Sequence, residues 1–231
     1  DSVIVVYPTF ELALLLFRAK IKNRIGTGYR WYSFLFNHKI FEHRKYGLKH
    51  ELEYNLNLLQ ILGIKNQADF NNVKINLPIN SESESFINDF ISKNKIDIEK
   101  PIIIIHPGSG GSAIDLPINK FIELIKLLLE KSYSEILITG NESEKDLCNK
   151  LTIDSRIKNL AGKFSLSQLI ALIDKSDILI ANSTGPIHIA AVLGKYVVGF
   201  YPKIKACSVK RWGPITNKRF IYEPQIDCNN C

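Results

Sequence analysis

The chain has 231 residues, of which 45% are hydrophobic and 23% charged, and its formal net charge at pH 7 is +7. This balance is typical of a globular protein of one large domain or two small ones. The longest apolar runs, at 12–17 and 102–105, are far shorter than the roughly 18 residues that a membrane-spanning helix needs. Four cysteines are too few for a disulfide scaffold, which favours a reducing compartment.

Positive charge is concentrated in the first fifty residues, which hold nine Lys and Arg against three acids. Such asymmetry indicates an anionic partner: a phosphorylated glycolipid, a membrane surface or a nucleic acid. A Lys-rich solvated face explains the charge equally well. The N-terminus shows no basic stretch followed by an apolar run and a small-residue cleavage site, so a secreted origin is not expected. The sequence lacks methionine and ends on Cys231, from which we expect that both ends are cut from a longer protein.

Apolar patterning in the first part predicts a short βα arrangement. A strand is expected over Val3–Val6, with helices over Phe10–Ala19 and Leu48–Leu62. Residues 64–100 are rich in Asn, Ser and Lys without sustained periodicity, so they are predicted to connect two domains. We expect the division to fall between residues 1–80 and residues 81–231.

The second part alternates short apolar runs with amphipathic stretches, which predicts a parallel sheet covered by helices. The expected strands are Ile102–Ile105, Ile136–Ile138, Ile178–Ile180 and Val197–Phe200. Helices are expected around 121–129, from the capping-box pair Ser165 and Gln168 onward, and from Pro186 to just before Gly194.

Two donor-rich loops follow buried strands of this sheet. The first is 106–112, with the sequence His-Pro-Gly-Ser-Gly-Gly-Ser, and the second is 182–188, Asn-Ser-Thr-Gly-Pro-Ile-His. Ligands of open α/β sheets bind at the carboxyl ends of the strands, and backbone N–H groups at a helix start attract anions. We therefore expect the loops around Ser109 and Thr184 to converge on one anion.

Each of these features also has a structural interpretation. The glycine-rich loop is compatible with an ordinary βα turn, and His188 with a histidine whose bonds are satisfied inside the fold. Glu142 suits a helix start, where acids are favoured, and Phe164 suits a core. The pair Cys228 and Cys231 has the spacing of half a zinc site, without a second pair to complete it.

The order of several motifs resembles glycosyltransferase family 9, the lipopolysaccharide heptosyltransferases. The matching segments are 102–112, Leu160-Ala161-Gly162-Lys163 before Ser165-Leu166, 182–188 with Ala190-Ala191, Tyr7-Pro8-Thr9, Arg24-Ile25-Gly26 and His50-Glu51. The resemblance implies an α/β fold of GT-B type. It implies a Rossmann-like, nucleotide-sugar-binding domain over 81–231 and part of a Rossmann-like acceptor domain over 1–80.

The resemblance also implies an activity. It is the inverting transfer of a heptose from ADP-heptose to the lipopolysaccharide inner core, without a metal or cofactor, at the cytoplasmic face of the inner membrane. The implied donor-binding residues are Ser109, Gly110 and Gly111 at the diphosphate, Glu142 at the ribose, Phe164 near the adenine, and Ser183, Thr184, Gly185 and His188 at the helix start. An anionic lipid A core is the implied acceptor, with Arg18, Lys22 and Arg24 as its binding residues.

The chain departs from the family pattern at two positions. Ile114 stands where the family commonly has Lys, and Ser183 stands where it often has Asp. The general base of the family would lie before Asp1, so no catalytic residue is assigned. The alternative function is that of a noncatalytic relative that keeps the fold and binds a nucleotide sugar. A nucleic-acid surface around Tyr29, Arg30, Trp31 and Tyr32 is a further candidate, but no nucleic-acid partner is expected, because no binding motif is present.

Overall fold

A computed structural model describes residues 1–64 and 75–225. The chain forms two compact units: Asp1–Asp69 with Lys210–Gly213, and Phe70–Val209 with Pro214–Cys231. We call them the N-terminal unit and the C-terminal unit. Each contains a parallel sheet with helices. The division at residue 80 stays a prediction.

The N-terminal unit contains a three-stranded parallel sheet in the order β1-β2-β3. Its elements are β1 Ser2–Ile4, α1 Phe10–Arg18, β2 Asn23–Thr27, β3 His38–Ile40 and α2 Glu51–Asn57. The predicted first strand was too long, since β1 ends at Ile4. Neither β2 nor β3 was predicted, because both are short and carry polar residues that obscure an apolar run.

The second helix of this unit begins later than predicted, at Glu51, because His50 caps it. His50 Nδ1 accepts a hydrogen bond from Leu52 N at 3.1 Å, and its Nε2 lies 2.9 Å from the carbonyl of Gly213. The carboxylate of Glu51 forms ion pairs with Arg44 and with Arg211, the latter at 2.9 Å. These contacts explain why four residues from late in the chain belong to the N-terminal unit.

The C-terminal unit contains a six-stranded, all-parallel sheet in the order β6-β5-β4-β7-β8-β9. The strands are β4 Ile102–His106, β5 Glu135–Ile138, β6 Ile157–Asn159, β7 Ile178–Asn182, β8 Tyr196–Phe200 and β9 Arg219–Tyr222. The four predicted strands are confirmed within one or two residues. The two edge strands, β6 and β9, were missed because charged or polar residues interrupt their apolar pattern.

Helices cover this sheet. They are α3 Ser81–Lys93, α4 Ile118–Lys131, α5 Lys145–Leu151, α6 Leu166–Asp174 and α7 Gly185–Val192. The short helix α8, Val209–Trp212, belongs almost entirely to the N-terminal unit. The predicted capping box of Ser165 and Gln168 is confirmed, as is the helix that ends before Gly194, whose φ is +72°. The assignment of 64–100 as a connection without periodicity was wrong over α3. The side chain of Asn80 caps this helix, which buries Ile87 and Ile91.

The core lies where α4 and α5 pack on the middle of the sheet. Ile103 and Ile105 of β4, Ile136 of β5, and Phe121 and Ile125 of α4 are all at most 4% exposed. Full burial of such side chains contributes about 1.5–3 kcal/mol each to folding. The central strands are therefore held rigidly, and the loops that leave them start from fixed positions. Within the described residues, no helix combines the length and apolarity needed to cross a bilayer.

Candidate functional site

The two donor-rich loops leave the same edge of the C-terminal sheet. Strands β4 and β7 are hydrogen-bonded neighbours, with His106 opposite Ala181 in parallel register. Because parallel strands end on one side, residues 107–116 and 183–188 emerge next to each other. This edge is the usual ligand side of an open α/β sheet.

Asn182 joins the two loops. Its side chain is fully buried, its Nδ2 donates to the carbonyl of Pro107 at 2.5 Å, and its Oδ1 accepts from Leu116 N at 2.9 Å. The hydroxyl of Ser112 adds a bond to the carbonyl of Ser183 at 3.3 Å. The expectation that the loops lie close together is confirmed, and their binding of one anion stays a prediction. The connecting role of Asn182 was not predicted from the sequence.

The glycine-rich loop turns through Gly110 and Gly111, whose φ angles of +58° and +79° lie in the left-handed region. A Cβ at either position would meet open space, so the backbone there is accessible. Ser109 was predicted to face the diphosphate, but its side chain is buried. It is 7% exposed, and its hydroxyl donates to the carbonyl and accepts from the amide of Ala113. The loop therefore offers exposed peptide groups, supported by a buried serine.

The second loop leads into α7. Thr184 is the extended residue before the helix, and within the described part of the chain its side chain makes no capping bond. Pro186 has no N–H, so the amides of Gly185 and Ile187 are the donors of the first turn. Gly185 faces open space, and His188 lies half-buried in that turn. These amides have no partner within their own helix, and together with the positive helix end they favour an anion.

Tyr201, which follows β8, contacts the second loop and was not singled out from the sequence. Its ring is 2% exposed, and its hydroxyl is hydrogen-bonded to the side chain of Ser183. Burial raises the pKa of Tyr201 to about 12, against the opposing effect of the Ser183 hydrogen bond. The tyrosine is therefore neutral at physiological pH and holds Ser183 in place.

The turn after β5 carries two glutamates, Glu142 and Glu144, whose side chains point to different loops. Glu142, predicted to contact the ribose, is 74% exposed, pairs with Lys145 at 2.5 Å and lies against Gly162. Glu144 reaches the glycine-rich loop: its Oε1 accepts from Gly110 N at 3.2 Å, and its Oε2 accepts from Asn141 N at 2.8 Å. Asn141 and Glu144 form a capping box that was visible in the sequence and not recognised.

Two further side chains line this region of the C-terminal unit. Phe164 is half-buried and packs edge-on against Phe90 and Phe86 of α3, with ring centroids 5.0 and 6.4 Å apart. Its predicted place near the adenine remains a prediction. His106 is buried at the end of β4 with its Nδ1 3.0 Å from the Thr139 hydroxyl, and burial lowers its pKa while the Glu144 charge opposes the shift.

The predicted acceptor residues lie in the N-terminal unit, at the amino ends of its strands. Arg18 closes α1 and Lys22 precedes β2, and both are exposed. Arg24 is half-buried, and its guanidinium donates to the carbonyls of Leu35 at 2.8 Å and Ile21 at 2.5 Å. Tyr32, considered above for nucleic-acid stacking, is buried, and its hydroxyl donates to the Pro8 carbonyl at 2.7 Å.

A metal site is not apparent in residues 1–64 and 75–225, since they contain no group of three or more His, Cys, Asp or Glu side chains arranged to hold an ion. Cys228 and Cys231, the possible half of a zinc site, lie outside the described residues.

A family model described as glycosyltransferase family 9 (heptosyltransferase) matches residues 1–231. The chain belongs to glycosyltransferase family 9. Among relatives in the family, a putative glycosyltransferase of Haemophilus influenzae is 29% identical over 94% of this chain and 64% of its own length. The lipopolysaccharide core heptosyltransferase OpsX of the same organism is 25% identical over 96% of this chain and 63% of its own length. The chain thus spans less than two thirds of these relatives.

Solved structures of family 9 members share the fold. A family 9 glycosyltransferase from Veillonella parvula superimposes with a TM-score of 0.82 at 18% identity, over 97% of this chain and 62% of that one. The ADP-heptose lipopolysaccharide heptosyltransferase II of Escherichia coli gives 0.74 at 20% identity, over 96% and 67%. The expected family and the GT-B type of α/β fold are confirmed.

Proposed function

We propose that this chain binds the nucleotide-sugar donor of a heptosyl transfer, with ADP-heptose as donor and the lipopolysaccharide inner core as acceptor. The observation that carries the proposal is the joining of loops 107–116 and 182–188 by Asn182 at one sheet edge. Their exposed amides at Gly111 and Gly185 would hold the diphosphate, while the Gly110 amide donates to Glu144. Family membership and the ADP-heptose-dependent relative from Escherichia coli support the choice of donor.

The chemistry required of such a site is stabilisation of a leaving diphosphate. The acceptor hydroxyl attacks the anomeric carbon of the heptose from the opposite face and loses its proton to a general base. The configuration inverts, and the bond to the diphosphate oxygen breaks. Negative charge grows on that oxygen. Amide groups fixed by the fold and the start of α7 are already oriented toward it, and such preorganised donors lower the barrier.

For the nucleoside, we propose that Glu142 binds the ribose hydroxyls and Phe164 borders the adenine. Glu142 is exposed and lies against Gly162, two residues before Phe164, while Glu144 is occupied by the glycine-rich loop. His188 and Thr184 complete the donor side. We propose that Arg18, Lys22 and Arg24 bind the anionic acceptor. We also propose that the protein contacts anionic lipid peripherally, at the inner face of the inner membrane.

Calorimetry with ADP, followed by a transfer assay with ADP-heptose and a lipid A core acceptor, tests the proposal. We expect ADP to bind and adenosine to bind far more weakly, since the site recognises phosphate. Equal binding of the two compounds, or no binding of ADP, contradicts a diphosphate site at these loops.

A noncatalytic nucleotide-sugar-binding protein is the second candidate, because two features depart from the family pattern. Ile114 is 65% exposed where a cation is common, and Ser183 is bonded to Tyr201 where an acid is common. ADP binding without transfer by the full-length protein would favour this candidate.

A further inference from the structure

The donor loops lack a cation of their own. No lysine or arginine occurs in residues 107–116 or 182–187. Asp115 is the single Asp, Glu, Lys or Arg residue of these two loops, and its charge is negative. Amides and a helix end compensate only part of the charge on a diphosphate, which attracts positively charged side chains strongly. If the proposed function is correct, a cation must reach this edge from another segment.

The segment that follows β8 is anchored to both loops. At its start, the hydroxyl of Tyr201 is hydrogen-bonded to Ser183 of the second loop. At its end, Cys207 Sγ lies 3.7 Å from the carbonyl of Ser112 in the first loop. All four residues belong to the C-terminal unit. We call residues 202–206, between these two contacts, the lysine segment.

The lysine segment has the composition of an anion-binding element. It reads Pro-Lys-Ile-Lys-Ala and contains no acid. Lys203 and Lys205 are both exposed, and the ion pairs among the described residues involve neither of them. An ammonium on a flexible four-carbon stem can follow the phosphate oxygens of a ligand.

We infer that Lys203 and Lys205 supply the positive charge of the donor site and bind the diphosphate across the two loops. The inference rests on the proposed function and assigns the diphosphate contacts of that site to side chains from a third segment. The cation thus comes from the segment after β8. It would replace the lysine that the family commonly has at the position of Ile114.

Calorimetry with ADP, inorganic pyrophosphate and adenosine on the unmodified chain and on Lys203→Ala, Lys205→Ala and the double variant tests this inference. Lys126→Ala is the matched control, since Lys126 is an exposed lysine of α4. Because single exposed ion pairs are weak, we expect each substitution to weaken ADP binding roughly threefold and the pair roughly tenfold at low salt. Pyrophosphate should follow ADP, and adenosine should be unaffected.

The outcomes separate the two proposals. Unchanged ADP and pyrophosphate affinities in the double variant, with clear binding by the unmodified chain, overturn the role of the lysine segment and leave the donor site intact. An unmodified chain that binds neither anion overturns the proposed function, and this inference with it. Equal losses in Lys126→Ala would show a general charge effect and also overturn the inference. Recovery of affinity in Lys203→Arg with Lys205→Arg would support it, since charge is retained.

Discussion

The Nδ2 group of Asn182 donates a hydrogen bond to the carbonyl of Pro107 at 2.5 Å, and this bond ties the end of one central strand to the loop of its neighbour. The Oδ1 of the same side chain accepts from Leu116 N, so both halves of the amide are used. Only a side chain that donates and accepts in this geometry satisfies both partners.

Replacing Asn182 by alanine should therefore destabilise the chain and loosen the site. One buried and one partly buried backbone group would lose their partner, and an unsatisfied buried group costs about 1–3 kcal/mol. Urea unfolding measures this loss, and calorimetry measures the accompanying fall in ADP affinity. Asn88→Ala removes an exposed asparagine from α3 and should change stability by less than about 0.5 kcal/mol. Equal stability of the two variants would contradict the role of Asn182.

Substitution of Gly111 separates backbone strain from ligand binding. Gly111 and Gly194 have φ angles of +79° and +72°, and a Cβ at either would meet open space. Alanine at either position should therefore cost a similar free energy of unfolding, about 1–2 kcal/mol. Only Gly111→Ala should also weaken ADP binding, because Gly111 lies in the donor loop. A loss of ADP affinity in Gly194→Ala of the same size would contradict this assignment.

Substitutions of Glu142 and Glu144 are expected to weaken the binding of different ligands. Glu142→Gln should weaken ADP binding roughly fivefold or more and leave pyrophosphate binding unchanged, because hydrogen bonds to a charged group are lost only with ribose present. Glu144→Gln should affect both ligands, since Glu144 holds Gly110 N. If ADP affinity depends on Glu144 alone and pyrophosphate affinity on neither, the ribose role moves to Glu144.

The buried His106 should make stability depend on acid. Burial lowers its pKa in the folded chain below the ordinary value of 6.5, so below that pH the unfolded chain binds protons more tightly. Stability should fall as pH drops from about 6.5 toward the lowered pKa of the folded state. Urea unfolding midpoints at pH 7.5, 6.5 and 5.5 should show a smaller fall for His106→Phe. His43→Gln removes an exposed histidine and should keep the full dependence.

Charge reversal tests the acceptor prediction. Arg18→Glu with Lys22→Glu should weaken binding of a Kdo-bearing lipid A, by roughly fivefold per charge if each lies near the anionic surface. Arg30→Glu with Lys45→Glu is the matched pair, since both residues are exposed and follow β2 and β3 at the carboxyl edge of the same sheet. Loss of binding in this second pair alone would move the acceptor site to that edge.

The central part of the fold was predictable because β4, β5, β7 and β8 are continuous apolar runs, the pattern that burial on both sheet faces requires. The short strands β2, β3, β6 and β9 were not, because pairing with neighbours outweighs their weak local preference. Helix α3 was missed for a different reason: its polar face is long, and its apolar stripe of Ile87 and Ile91 is narrow.

The candidate site was only partly predictable. Glycines and a proline at strand ends revealed both donor loops, since those residue types mark special backbone geometry. Neither Asn182, which connects the loops, nor Tyr201, which supports the second loop, was visible in the sequence, because both act through partners far apart in sequence. The sequence also did not reveal which way each carboxylate points. Glu142 and Glu144 are two residues apart, yet Glu142 lies against Gly162 and Glu144 bonds to Gly110.

The four consecutive isoleucines of β4 are harmless in the folded chain, where every one is at most 4% exposed. In a newly made or heated chain the same stretch is a short, uncharged, β-branched segment of the kind that stacks into cross-β aggregates. Lys100-Pro101 before it and Pro107-Gly108 after it act as gatekeepers that interrupt such stacking. Refolding from denaturant should accordingly yield more native protein at low protein concentration. Replacing either flanking proline should increase the fraction of protein that precipitates during refolding.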